Sequence, residues 1–248
     1  FFQISRRWPN LVRKALRFHM QRELGDACDV DVHFNPRYNP WEERMCIAAN
    51  SDLFKTLRSR RATMATDHID TFTETGIRLK SGQILEADIV ISATGLDLIP
   101  LGGVEFTVDG QRWEPGKSMT YKGMMFRDVP NLAQATGYTN ASWTLKCDLT
   151  SQYVCRLINH MDAHGYRYCT PHTDDPTITE LPFVDFSSGY IQRAIDKFPK
   201  QGSKAPWKLY QNYARDILSL RYGAVEDGAM TFAAANTVSQ PSMTSPLP

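Results

Sequence analysis

A single arginine, two Thr-Gly pairs, a lysine near a helix start and one tryptophan are the residues of this chain best suited to chemistry. Arg44 closes the cluster Tyr38-Asn39-Pro40-Trp41-Glu42-Glu43-Arg44. A guanidinium stays charged at ordinary pH, so it can hold a phosphate or steady an anionic intermediate. Beside Glu42 and Glu43 it can equally be a paired surface arginine. Ala87-Asp88-Ile89-Val90-Ile91-Ser92-Ala93-Thr94-Gly95 reads as an apolar strand ending in Thr-Gly. A run without polar alternation suits a parallel strand buried on both faces. A glycine at its carboxyl end lets the backbone approach a ligand, and that end is where open α/β sheets bind. Thr94 and Gly95 are therefore candidate ligand contacts of a dinucleotide-type fold.

A second unit of this kind runs from Leu132 to Ala135 into Thr136-Gly137, then through Tyr138 to Thr144, Leu145 and Lys146 at a helix start. A helix amino terminus offers unpaired N–H groups and partial positive charge to an anionic ligand edge. It can equally be an ordinary turn capped by Asn140 or Ser142. Trp207 follows the loop Lys200-Gln201-Gly202-Ser203-Lys204-Ala205-Pro206 and can lie against a ring or fill the core.

Composition excludes several classes. The net charge of +1 provides no general field for nucleic acid. Cys28, Cys46, Cys147, Cys155 and Cys169 are odd in number and show no C-x-x-C spacing. That argues against a disulfide scaffold, a zinc site or a dithiol centre, and points to a reducing cytoplasm. The six histidines are scattered, and no nucleophile-elbow motif supports hydrolysis. The chain opens on Phe1 without Met and contains no G-x-G-x-x-G, which suggests a piece of a longer protein.

The elements that must position these residues follow from periodicity. Leu11, Val12, Ala15, Leu16, Met20 and Leu24 predict a helix over 9–24 with Pro9 in its first turn. Its other face carries Arg13, Lys14, Arg17 and Arg22, which suit either solvent or peripheral contact with a membrane surface. A short helix is expected over 51–57. Strands are expected over 62–66, 68–73, 77–80 and 132–135, with the segments 104–108 and 121–126 set off by turns at Asp109-Gly110 and Pro130-Asn131. Leu145, Leu149, Tyr153, Leu157 and Met161 recur every four residues and predict a helix ending near Gly165. Residues 170–185 read as a surface loop, 187–198 and 207–220 as helices, and the tail from 236 as disordered.

Tyr38-Asn39-Pro40-Trp41-x-x-Arg44, Asp88 to Gly95, Tyr121-Lys122-Gly123-Met124-Met125, Gly137 to Lys146, and Phe198 to Ser203 with Trp207 together resemble the class B flavoprotein monooxygenases. The likeness is greatest to the Baeyer–Villiger monooxygenases of the ethionamide-activating branch. The resemblance spans the chain to about residue 233.

This resemblance implies an α/β fold: the C-terminal portion of a flavoprotein with two Rossmann-like dinucleotide-binding domains. Residues 1–95 would complete the NADP domain with a helical insertion, 96–234 the FAD domain, and 235–248 would form the tail. The cofactors implied are FAD and NADPH. The reaction implied inserts one oxygen atom of O2 into a ketone, or oxidises a thioether or thioamide sulfur, through a C4a-peroxyflavin. Arg44 would be the catalytic arginine. Thr94, Gly95, Thr144, Leu145, Lys146 and, less closely, Trp207 would border the cofactors, with no metal. An N- or S-oxygenating flavin monooxygenase and a non-catalytic truncated module are the alternatives. Both glycine-rich phosphate loops of the family are missing here, so this fragment alone is expected to be inactive.

Overall fold

The computed structural model describes residues 1–43, 45, 46 and 48–234. The structure is mixed α/β and divides into two compact units. One comprises Phe1–Leu98 with Phe186–Gln192, the other Ile99–Asp185 with the chain from Arg193 onward.

The first unit opens with four helices: α1 (Phe2–Arg7), α2 (Pro9–Leu24), α3 (Val30–His33) and α4 (Asp52–Arg58). Pro9 stands at the start of α2, where its missing N–H costs nothing. Leu24, Val30 and Leu57 form a small core, with Met20, Phe34 and Phe54 packed against it. Asp29 caps α3 by accepting from the amides of Asp31 and Val32. Arg17 on α2 grips Asp31 through two hydrogen bonds of 2.6 and 2.5 Å. Strands β1 (Ile69–Thr73), β2 (Gly76–Leu79) and β3 (Ile84–Glu86) follow as an antiparallel sheet in that order.

The strand expected over 87–94 does not form. The amide of Ala87 bonds the Thr75 carbonyl, and beyond it no strand is assigned through residue 99. Ile89 and Ile91 are 80% and 86% exposed. A buried parallel strand takes its backbone partners from strands on both sides and its cover from both faces. The only sheet in this unit, among the described residues, is antiparallel and ends at β3. An apolar run signals readiness to be buried but does not supply the partner. The expected strand over 62–66 is likewise irregular.

The second unit begins with the hairpin β4 (Phe106–Val108) and β5 (Gln111–Trp113), turning at Asp109-Gly110. The tight pair β6 (Thr120–Tyr121) and β7 (Met125–Phe126) comes next, then α5 (Trp143–His164) and β8 (Tyr168–Pro171). Strand β9 (Glu180–Pro182), α6 (Gly189–Ala194, which belongs to the first unit as far as Gln192), β10 (Lys200–Gly202), α7 (Tyr213–Asp216), a π-helical turn Ile217–Tyr222 and β11 (Met230–Ala233) complete the described chain. β8 pairs with β11 and β9 with β10, both antiparallel, so the expected loop over 170–185 carries strand at both ends. The expected 132–135 strand is reduced to one bridge between Ala133 and Met125. Every ladder among the described residues is antiparallel.

The α5 stripe lies where its spacing predicts. Leu149, Tyr153 and Leu157 are buried against Tyr121, Met124, Met125 and Leu220 in the core of the second unit. Gly165 ends the helix in the left-handed region at φ 69°. Among the described residues, no helix is long and apolar enough to cross a membrane.

Candidate functional site

In the second unit a cleft of about 230 Å³ opens between the β6–β7 turn, residues 136–146, the loop before α7 and the π-helical turn. Its walls are positioned by long-range bonds. The Lys122 amide donates to the Pro206 carbonyl at 2.9 Å, tying the β6–β7 turn to the 200–211 loop. Gln211 accepts from the Thr139 amide through its side chain and from Asn140 Nδ2 through its carbonyl. Arg156 of α5 donates to the carbonyls of Leu220 and Gly223 at 2.8 and 2.6 Å, fixing the open end of the π-helical turn. Lys122 and Gly123 both have positive φ, 50° and 70°. A lysine is strained there, and such backbone strain gathers at functional sites.

Two lysines point inward, and each has a carboxylate. Lys146 Nζ lies 3.0 Å from Asp216 Oδ2, with side chains only 7% and 13% exposed. The Tyr138 hydroxyl donates to the same Asp216 oxygen at 2.5 Å. Lys122 Nζ lies 2.9 Å from Asp227 Oδ2 and over the rings of Tyr121 and Tyr153, 5.0 and 4.6 Å from their centroids. Tyr121 donates to Asp227 at 2.7 Å, and its hydroxyl lies 2.9 Å from that of Tyr153. Burial pulls both lysines below the usual ammonium range, against the opposing pull of their carboxylates. Burial likewise raises Tyr138 and Tyr121, and pushes Tyr153 up to about 12.

The amino end of α5 is left open. Ser142 occupies the cap position but makes no side-chain cap bond, its hydroxyl lying instead 2.8 Å from that of Thr144. Among the described residues, no side chain caps the first-turn amides. The ring of Trp143 lies against the bare Cα of Gly137, where a Cβ would come within 2.1 Å of Cγ. Gly137 and Lys146 both line the cleft.

The other sequence-derived residues are distributed as follows. Thr144 is exposed and Leu145 half-buried, both outside the cleft lining. Trp207 is 1% exposed and packs edge-on to Tyr121 with centroids 5.7 Å apart. Its indole belongs to the core, while its neighbours Ala205, Pro206 and Lys208 line the cleft. Of its two readings, filling the core is the one the packing follows, because the ring sits in the buried cluster with Tyr121 and Met119. Thr94 and Gly95 lie in the first unit, exposed, with Gly95 at φ 113°. Arg44 lies outside the described residues. Of its expected partners, Glu42 accepts from Asn39 through backbone and side chain, and Glu43 accepts from Ser187 at 2.7 Å. A depression of about 1,070 Å³ in the first unit is lined by Trp41, Glu43, Met20, Phe34, Arg13 and Lys14. Among the described residues, no group of three or more His, Cys, Asp or Glu could hold a metal.

Sequence reasoning passed over Tyr138, Asp216, Asp227 and the inward turn of Lys122. The local signal for Lys122 was a Lys-Gly turn between two short apolar strands. Asp216 carried none, since its partner lies 70 residues earlier.

The chain is 49% identical over 231 residues to the FAD-containing monooxygenase EthA of Mycolicibacterium smegmatis, covering 93% of this chain and 47% of that protein. It is 47% identical over 232 residues to EthA of Mycobacterium tuberculosis, strain H37Rv, covering 94% and 47%. It is also 47% identical over 232 residues to the probable FAD-binding monooxygenase AlmA of Acinetobacter baylyi, covering 93% and 46%. The chain is similar over nearly its whole length to one part of each of these proteins. It spans about half the length of these relatives. No protein-family model matches it. The printed names of these relatives describe FAD-containing or FAD-binding monooxygenases.

Proposed function

We propose that this chain is the C-terminal half of an FAD- and NADPH-dependent monooxygenase, and that the cleft of its second unit is one wall of the flavin site. The homology to FAD-containing monooxygenases carries the reading. The residues fit one edge of a flavin. The open start of α5 and the buried Lys146 offer donors and positive charge to an electron-rich ring edge. Gly137 lets a flat ring system come close to the backbone beside Trp143. At about 230 Å³ the cleft is below the roughly 300–1,000 Å³ of a complete ligand pocket, so it houses part of the cofactor.

When bound, the flavin supplies the oxygen-activating chemistry. Lys146 and Tyr138, both fixed on Asp216, hold the ring edge in one orientation. The apolar wall at Leu209 and Leu220 keeps water out of the cleft. Arg44 is the group that steadies negative charge on the reacting oxygen, and a ketone is the substrate we favour over a sulfur or nitrogen centre. Thr94 and Gly95 belong to the passage between the two cofactor domains.

The test is made on the complete protein, after the coding sequence upstream of Phe1 has been read for the two glycine-rich loops. With NADPH, O2 and 2-decanone, an ester product is expected. Arg44→Ala should keep the flavin and lower ester formation by about two orders of magnitude or more. A variant forming ester at the parental rate would remove Arg44 from the mechanism. Absence of the glycine-rich loops, or amine and thioether oxidation without any ester, would overturn the reading.

A further inference from the structure

The charges around the cleft are not evenly matched. The inner lysines, Lys122 and Lys146, are satisfied by Asp227 and Asp216. Two further cations line the same cleft, Lys208 and Arg215. Neither makes an ion pair with a carboxylate among the described residues. Both sit over the ring of Tyr210, with Lys208 Nζ 5.7 Å and Arg215 Cζ 4.5 Å from its centroid. One tyrosine ring thus lies within reach of both cations. Among the described residues no carboxylate neutralises either, which leaves an excess of positive charge for an anion to meet. The excess is local, because the whole chain has a net charge of only +1. A cleft lined by one sign of uncompensated charge concentrates counter-ions of the other sign. The same cleft is lined by Leu209, Leu220 and Phe183, the last two buried. The cleft therefore sets exposed positive charge and buried apolar side chains in one lining, together with the buried Lys146–Asp216 pair.

We propose that the mouth of this cleft binds a small aliphatic anion, a carboxylate or a phosphate monoester. Its headgroup lies between Lys208 and Arg215, and its hydrocarbon end faces Leu209 and Phe183. This deepens the proposed function by naming the class of substrate: a molecule with an anionic end beside an apolar body. It rests on that reading for the word substrate, and not for the binding itself.

The experiment titrates the full 248-residue chain, without flavin, with hexanoate, hexyl phosphate and 1-hexanol. Backbone amide shifts of Leu209 and Tyr210 are followed by NMR. At least one of the two anions should bind at least tenfold more tightly than the alcohol. Lys208→Glu and Arg215→Glu should each weaken anion binding tenfold or more, and Lys117→Ala, an exposed cation away from the cleft lining, should leave it unchanged. Tighter binding of hexanoate than of hexyl phosphate assigns the headgroup as carboxylate, and the reverse assigns it as phosphate. The inference is overturned if hexanol binds as tightly as both anions, if both charge-reversed variants bind like the parent, or if neither anion moves these amides. Lys208 and Arg215 are exposed, so their replacement leaves the fold intact. A failed oxygenation assay leaves this site standing, and a failed titration leaves the flavin reading standing.

Discussion

The two units treat their apolar residues in opposite ways. The second closes a core in which Tyr121, Tyr153, Trp207, Leu149 and Leu220 are at most 1% exposed. The first buries Leu24, Val30 and Leu57 but leaves Ile69, Phe72, Ile84, Ile89 and Ile91 at least half exposed. Burial of the second kind needs partners that come together from distant parts of the chain, and the second unit has them. Residues 121, 153, 207 and 220 converge from a hairpin, a long helix, a loop and a π-helical turn. The first unit's sheet has three short antiparallel strands, of whose residues only Gly76 and Leu79 are buried. The lesson is that a site able to orient charged groups is found where the core is complete.

This contrast can be broken, and the largest effect should come at the buried ion pair. Asp216→Ala leaves the Lys146 ammonium and the Tyr138 hydroxyl buried without their shared acceptor. Breaking such a pair costs about 3–5 kcal/mol, read as a lowered urea midpoint. The matching change in the first unit, Asp70→Ala, removes two exposed bridges to Arg78 and Lys80 and should scarcely move it. Equal effects would erase the distinction. Next, Leu149→Ala should cost about 2–5 kcal/mol, while Ile91→Ala should stay within about 0.5 kcal/mol. A large loss at Ile91 would mean the 87–99 segment is covered in solution.

A smaller effect is expected at the β6–β7 turn. Gly123→Ala puts a Cβ 2.5 Å from Leu209 Cδ2 at a positive φ, costing roughly 1–2 kcal/mol from the backbone alone. Leu209 should shift, visible in its methyl resonances. The smallest effect is a titration. His172 lies 2.6 Å from Asp128 and 3.0 Å from Asp174, and these hydrogen bonds, Asp128 first, raise its pKa above the ordinary 6.5. The stabilisation is complete below about pH 6.5 and is lost as pH rises through the raised value. Asp128→Asn should return the imidazole titration, followed by NMR, towards 6.5. An unshifted parental histidine would contradict the contact.

Much of the helical skeleton was legible in the sequence. Helix α2 has the bounds set by Pro9 and the Leu11-to-Leu24 stripe, and α5 ends at the expected Gly165. Local periodicity and caps decide such features. The 87–94 segment was misread because its composition reports hydrophobicity, whereas a strand also requires a neighbour to bond. The stretch 207–220 has helical spacing, yet α7 begins only at Tyr213, behind the Asn212 cap, and opens into a π-helical turn. The candidate site was half legible. Lys146 and Gly137 stand in the cleft, but the carboxylates that hold its lysines lie far along the chain, and such pairs leave no periodic trace. The indole of Trp207 is in the core although the loop before it lines the cleft, and no spacing rule separates those two outcomes.

The seat of Trp143 on Gly137 has a practical consequence. Half of that indole meets water and the other half covers a backbone position in the cleft wall. Its emission wavelength should therefore depend on what occupies the cleft. A Trp143→Phe difference spectrum would isolate that signal from the other four tryptophans. The protein thus carries its own optical gauge of occupancy, readable without any label.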